Sequence, residues 1–397
     1  KPFWFKLLVQ IFFQFSSPPR PYCNRRHAGN PMPPSNERRL RNFKNGLMAH
    51  LIMVPAWTAS PPLLLGSLIV TGLPHGKFGV LASLVLGVGL IMTKNMRQRV
   101  PVSLLIIGIG LAAPSNSVLS TSAACFVAFL AWLCKGGKSD GKCRPQLRHF
   151  LENWAGHFYQ QAELRGHLDD IKKDKSCFGF HPHGCLAAGL TVNGCYNPTF
   201  REKAGKVNWL GDWNLRYKNP FFRMMSDAVS GDDLRIDAAD KKTVVKLMER
   251  GENVSLMPGG FQEAVGQRYG KDCAVVLRRK GFIKYCLQYG YRVHPVYTFG
   301  ESSTYHTFTW LRKLRMRISE HNVPMVAFFG WPLFPLLPRP ESKILTYVGA
   351  GIDMPHTPEP TPEDVNKWHG EYIRGLANLY NEYKAEAGYS NSELEIA

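Results

Sequence analysis

Two imidazoles stand two residues apart in Phe178-Gly179-Phe180-His181-Pro182-His183-Gly184, with a proline between them and a glycine after them. A residue before proline is pushed into extended geometry, and in an extended chain positions i and i+2 share a face. His181 and His183 are therefore expected to face one space. The apolar run 177–180 reads as the strand leading in, and 185–190 as the start of a helix. A strand, a sharp turn and a helix start form a good setting for catalysis, because the first amides of a helix are free to donate. A surface turn or a chance metal clip is the plain alternative for His-Pro-His.

The elements that must position this segment follow from composition. The chain has 397 residues, and its 49 Lys and Arg against 30 Asp and Glu leave a net charge of +19. Such a balance attracts anionic partners. The cations flank an apolar region: Arg20, Arg25, Arg26, Arg38, Arg39, Arg41 and Lys44 precede it, and Lys135, Lys138, Lys142, Arg144 and Arg148 follow it. Membrane proteins distribute cations in this way, whereas a nucleic-acid reader carries them on a folded face. Membrane lipids are therefore expected partners and nucleic acid is not. The nine cysteines are odd in number and show no C-x-x-C spacing, which points to a reducing compartment rather than a disulfide framework or zinc ribbon. Asn253-Val254-Ser255 fits a glycosylation sequon but falls inside an expected strand.

Three regions are expected: a basic, Pro-rich cytosolic segment 1–46, a membrane-embedded helical region 47–134, and a cytosolic α/β domain 148–397. The apolar runs of the middle region are 47–73, 78–93, 100–113 and 118–134. Only the first reaches the roughly 20 residues that cross a bilayer core. With Lys94, Arg97 and Arg99 on the side of the basic flanks, the pattern describes two helical hairpins entering from the cytosol, either spanning fully or reaching only part-way. Pro55, Pro61 and Pro62 favour a bent or shallow first hairpin.

From Arg148 onward, short apolar strands alternate with amphipathic helices, which implies a mixed-sheet α/β domain. Helices are expected at 240–251, 280–289 and from Thr361, and strands at 254–257, 291–299 and 344–348. Gly251 and Gly290 suit left-handed caps, Thr361 is an N-cap, and Pro362 suits the first helical position. Val365, Trp368, Tyr372, Leu376, Leu379 and Tyr383 follow the spacing of one buried stripe and are read as packing alone.

Four segments in order, Phe178–Gly184 (FGFHPHG), Pro258–Ala264 (PGGFQEA), Arg279–Lys284 (RKGFIK) and Val293–Glu301 (VHPVYTFGE), make residues 148–389 resemble the type-2 diacylglycerol acyltransferase family. That family includes monoacylglycerol and wax-alcohol acyltransferases. The resemblance implies an enzyme of the endoplasmic reticulum membrane or lipid droplet, its catalytic domain cytosolic. Its substrates would be acyl-CoA and diacylglycerol, with no metal or cofactor and HPHG as the active site. A homo-oligomer is compatible with it. One departure stands out: family members from animals and fungi carry Tyr-Phe-Pro about 22 residues before HPHG, where this chain has Tyr159-Gln160-Gln161.

Acyl transfer to an alcohol needs a base, because an unactivated hydroxyl is a weak nucleophile. His183, nearer the expected helix start, is the preferred base, and His181 is then structural or lines the site. The related glycerol-phosphate acyltransferases take an orienting carboxylate five residues after the histidine, but here those positions are Leu186 and Ala188. Glu263 is the candidate by motif match, against a solvated helix-start glutamate. Backbone N–H groups at Gly184, Gly259 or Gly260 are candidates for holding the oxyanion. Arg278, Arg279 and Lys280 are candidates for the CoA phosphates, against a solvated basic helix start. Cys185 reads as a small buried thiol rather than an acyl carrier.

The leading expectation is transfer of a fatty acyl group from acyl-CoA to the free hydroxyl of diacylglycerol, making triacylglycerol. Monoacylglycerol and a fatty alcohol remain open as acceptors. Outside the family, the same base could hydrolyse a lipid ester or thioester, although no G-x-S-x-G elbow is present. A lipid-surface scaffold is the non-enzymatic reading.

Overall fold

A computed structural model describes residues 36–58, 69, 71–72, 75–92, 105–106, 109, 143–319 and 326–397. These residues divide between two compact units, one drawn from 55–142 and 217–227, the other from 18–54, 143–216 and 228–397.

The larger unit is built on an eight-stranded mixed sheet. Its strands are β1 (Gln161–Gly166), β2 (Ser176–His181), β3 (Val207–Gly211), β4 (Leu234–Ala238), β5 (Asn253–Leu256), β6 (Arg292–Phe299), β7 (Lys343–Val348) and β8 (Ile352–Asp353). Their order is β1-β7-β6-β2-β5-β3-β4, with β8 paired to β6. β2 runs parallel to both neighbours, aligning Gly179 with Leu256 of β5 and His181 with Tyr297 of β6. All six residues of β2 are buried, as expected for a central parallel strand covered on both faces. Phe178 and Phe180 pack with Phe200, and Phe180 also with Trp209, while Cys177 joins the core beneath the C-terminal helix.

Three adjacent parallel strands, β5, β2 and β6, therefore end side by side. Open α/β sheets place ligands outside such carboxyl ends. β5 leads into Pro258-Gly259-Gly260, β2 into Pro182-His183-Gly184, and β6 into Gly300-Glu301.

The helices form where caps and periodicity direct. α1 (Lys241–Glu249) opens on Asp240, whose side chain accepts from Thr243 N–H. α2 (Gly260–Gly266) follows β5, and α3 (Gly281–Tyr289) stops at left-handed Gly290. α4 (Pro362–Tyr383) starts with a reciprocal capping box between Thr361 and Asp364. Its Val365, Tyr372, Leu376, Leu379 and Tyr380 are buried, the first four on the expected stripe. The chain after β2 differs from expectation. Gly184 and Ala187 take positive φ of 61° and 53°, so the backbone keeps turning and the π-helical segment spans Gly189–Cys195. Regular helix cannot propagate through left-handed residues. The sequon is also explained: Asn253 is buried, its amide accepting from Ser176 N–H at 2.8 Å and donating to Ala204 O at 2.8 Å.

The helix Asn36–Thr58 runs unbroken through residues 46 and 47, where a boundary was expected. Within the larger unit, Phe43 and His50 of this helix stack on Phe158. In the smaller unit, Trp57 meets Phe222 edge-on, and Asn219 donates to Ala56 O at 3.1 Å. This unit also contains the apolar helix Gly76–Met92, on which Phe78, Leu81 and Val85 are exposed. Among the described residues, no helix is long and apolar enough to cross a membrane. The 17 residues of Gly76–Met92 extend about 26 Å, short of a roughly 30 Å hydrocarbon core. The expected hairpins are thus not seen as spanning helices here, and the run 118–134 and most of 100–113 lie outside the described residues.

Candidate active site

His181 ends β2 with its side chain fully buried, and a cis peptide bond joins it to Pro182. Its Nε2 lies 3.0 Å from the Tyr372 hydroxyl, and its Nδ1 lies 3.7 Å from Glu263 Oε1. At 3.7 Å the Glu263 carboxylate faces Nδ1 without a hydrogen bond. The Tyr372 hydroxyl donates to Gly179 O at 3.3 Å. Gly179 has no alternative at this position, because a Cβ there would overlap the Tyr372 hydroxyl.

His183 is only half-buried, and its Nδ1 lies 3.0 Å from Gly184 O. A carbonyl can only accept, so Nδ1 must carry the proton. In the neutral ring Nε2 is therefore unprotonated. The two histidines are thus oriented by different groups. Glu263 was expected beside the preferred base His183, but it faces His181, and a backbone carbonyl orients His183. The reason is topological: β2 and β5 are parallel neighbours, so the helix after β5 brings Glu263 back over the last residue of β2.

Glu263 is buried on α2, where its Oε1 accepts from Val275 N–H at 3.1 Å. α2 is entered through Gly259 and Gly260, the latter at φ +53° with open space where a Cβ would lie. Gly260 N–H donates to Met257 O at 3.2 Å. A small cleft is lined by Pro182 and Gly184 together with Glu263, Gln267, Lys271 and Ser302. The three glycines thus sit at the two turns beside His181, His183 and Glu263.

The cationic candidates stand at the entry to α3. Arg279 donates to Gln262 Oε1 at 2.7 Å, one residue from Glu263, and Lys280 donates to Asn366 Oδ1 at 2.7 Å. Arg278 is exposed. Cys185 is buried, and burial pushes its thiol well above the ordinary range. A thiol held neutral in this way is a poor nucleophile.

Two residues at this site carried no role in the sequence reading. Tyr372 belongs to an aromatic stripe read as packing alone, and nothing in helical spacing reveals which ring reaches a histidine. Glu301 closes the segment VHPVYTFGE, where an acid directly after a buried strand was the available signal. It is buried, accepting from Ala188 N–H at 2.9 Å and Gly189 N–H at 2.7 Å. Burial pushes its pKa up to about 7; the two amides oppose this shift and nearby Glu263 adds to it.

The family described as "Diacylglycerol acyltransferase" matches residues 121–397. The chain belongs to this family. It is therefore assigned to the acyltransferases. It is 30% identical over 298 residues to 2-acylglycerol O-acyltransferase 1 of Bos taurus, a match that covers 68% of this chain and 84% of that one. It is 28% identical over 232 residues to diacylglycerol O-acyltransferase 2 of Xenopus laevis, covering 54% and 63%. With the Dictyostelium discoideum protein of the same name it shares 31% identity over 229 residues, covering 53% and 67%. Among solved structures, the 1-acyl-sn-glycerophosphate acyltransferase PlsC of Thermotoga maritima is 13% identical, with a TM-score of 0.34 over 86% of this chain and 98% of that one.

Proposed function

We propose that the chain transfers a fatty acyl group from acyl-CoA to the free hydroxyl of diacylglycerol, with His183 as general base. The observation that carries this reading is the Nδ1–Gly184 O hydrogen bond, which leaves Nε2 of a half-buried imidazole free to accept a proton. As the hydroxyl oxygen attacks the thioester carbonyl, Nε2 takes its proton and a C–O bond forms. The tetrahedral oxyanion is held by the backbone N–H of Gly184 or Gly259, since that of Gly260 is engaged by Met257 O. Its collapse breaks the C–S bond, and the departing CoA thiolate recovers the proton from the imidazolium. The products are triacylglycerol and free CoA. Arg278, Arg279 and Lys280 meet the CoA phosphates, and Arg279, through Gln262, ties that cluster to α2.

His181, Glu263 and Tyr372 form the support beneath the turn rather than the proton acceptor. We further place the enzyme at the endoplasmic reticulum membrane or lipid-droplet surface, with the α/β unit in the cytosol. The charge flanks and the apolar helix Gly76–Met92 support that placement.

Diacylglycerol is favoured as acceptor by the family description, while the Bos taurus relative bears the name of a 2-acylglycerol enzyme. Microsomes expressing the chain, given labelled oleoyl-CoA with diacylglycerol, monoacylglycerol or a fatty alcohol in turn, decide the matter. Labelled triacylglycerol from diacylglycerol is expected. Labelled ester from another acceptor alone would reassign the substrate, and labelled free fatty acid alone would make the chain a hydrolase.

A further inference from the structure

Glu301 follows β6 after Gly300, which has φ +83°, and its two carboxylate oxygens accept from consecutive amides, those of Ala188 and Gly189. These amides open the segment that follows the HPHG turn. The same carboxylate also occupies the space beside Gly184, where a Cβ would overlap Oε1, Cγ and Cδ of Glu301. One side chain thus grips both ends of the stretch 184–189, immediately after His183. A buried carboxylate is costly unless hydrogen-bonded. Here it is held by amides of the very turn that carries the imidazole.

We propose that Glu301 is a positioning residue for acyl transfer: its carboxylate clamps the 184–189 turn so that His183 keeps its working geometry, and protonation loosens the clamp. This rests on the acyl-transfer reading above. Both oxygens accept from N–H donors only while the group is ionised; once protonated, one oxygen becomes a donor facing a donor. The groups that face Glu301 are Glu263, Tyr159, Cys185 and Tyr305. Burial and the Glu301 charge itself push the tyrosines and the thiol up, so they stay neutral at physiological pH. Glu263 is then the neighbouring charge that opposes ionisation of Glu301. With the Glu301 pKa at about 7, the clamp operates near neutral pH rather than in strong acid.

The test uses the full chain in microsomes or detergent, comparing wild type with Glu301→Gln. Two readouts are followed: kcat against pH, and hydrogen exchange of the peptide covering 184–190, corrected for intrinsic rates. An imidazole base alone gives a one-proton acid limb. A wild-type limb approaching two protons is expected, reduced to one in Glu301→Gln. The plateau kcat of Glu301→Gln should fall about tenfold or more, with the acyl-CoA KM changed less than twofold, because misplacement of a catalytic group affects rate more than binding. Wild-type protection at Ala188 and Gly189 should fall at least tenfold between pH 8 and 6, and in Glu301→Gln it should be independent of pH. An unchanged limb and kcat in Glu301→Gln, or flat wild-type protection over that range, overturns the proposal. If Glu301→Gln fails to fold, the wild-type exchange profile alone decides. The exchange readout needs no turnover, so a chain inactive toward every acyl acceptor but with pH-dependent protection would sink the acyl-transfer reading and leave the carboxylate's grip on the turn standing.

Discussion

His181 and His183 share one tripeptide but occupy two different regions of the site. The strand end at His181 is closed: the ring is fully buried between Tyr372 and Glu263, so both of its nitrogens face protein groups. The turn at His183 is half open, and its ring is fixed through one nitrogen by a carbonyl. A fully buried imidazole packed between protein groups costs much to remove, because its volume would be left as a cavity. A half-open ring with one free nitrogen has the opposite profile, with little invested in stability and a lone pair available for chemistry. Stability and reactivity are thus separated by two residues.

The sharpest way to break this contrast is at the open ring. His183→Ala is expected to lower kcat by about 10²–10⁴-fold, the range of a lost general base, while Tm measured by nano-calorimetry stays near wild type. The converse substitution, His181→Ala, should cost roughly 2–4 kcal/mol of stability, because it leaves a cavity in the buried strand end. Denaturant titration of the purified chain gives that number. A larger stability loss in His183→Ala than in His181→Ala would invert the comparison.

Glu263→Gln refines it. Since Glu263 faces His181, the expected fall in kcat is about tenfold, through loosening of the support, rather than the loss that follows removal of the base. A fall as large as that of His183→Ala would make Glu263 a direct partner of the reacting imidazole. Tyr372→Phe removes only a hydroxyl and should cost about 1 kcal/mol, read as a small Tm decrease, with kcat within a few-fold of wild type.

The smallest effect concerns another buried histidine, His50 on the helix Asn36–Thr58. Burial lowers His50 to about 4, against the raising influence of its hydrogen bond to Gly46 O. A folded-state value below the unfolded 6.5 means that the unfolded chain binds the extra proton between pH 6.5 and 4, so stability rises with pH across that window and is lost as pH falls. The slope is at most about 1.4 kcal/mol per pH unit. His50→Phe, which keeps the stack on Phe158, should flatten this part of the curve when Tm is followed from pH 4.5 to 6.5.

The parts of the fold that were legible in the sequence depended on near neighbours in the chain. Asp240, Thr361 with Pro362, and Gly290 mark helix ends through bonds made within one turn, and each is found where expected. The strand carrying FGFH was legible as an unbroken apolar run, because a central parallel strand needs no polar face. The pairing of Glu263 with His181 depended instead on the order β6-β2-β5, which links segments about 80 residues apart, and no local pattern encodes that order. Tyr372 was hidden for a related reason: a helical stripe shows which residues face the sheet but not which one crosses above Gly179. The late helix start after Gly184 followed from left-handed Ala187, a conformation set by tertiary packing rather than by alanine itself.

The central claim is that His183, through its free Nε2, takes the proton of the lipid hydroxyl. It is tested most directly by single-turnover acyl transfer from labelled oleoyl-CoA in His183→Ala and His181→Ala, each with increasing imidazole in solution. Imidazole should restore turnover in proportion to its concentration in His183→Ala, where a half-open site is left, and not in His181→Ala. Rescue of His181→Ala alone would move the base to the buried ring and contradict the account.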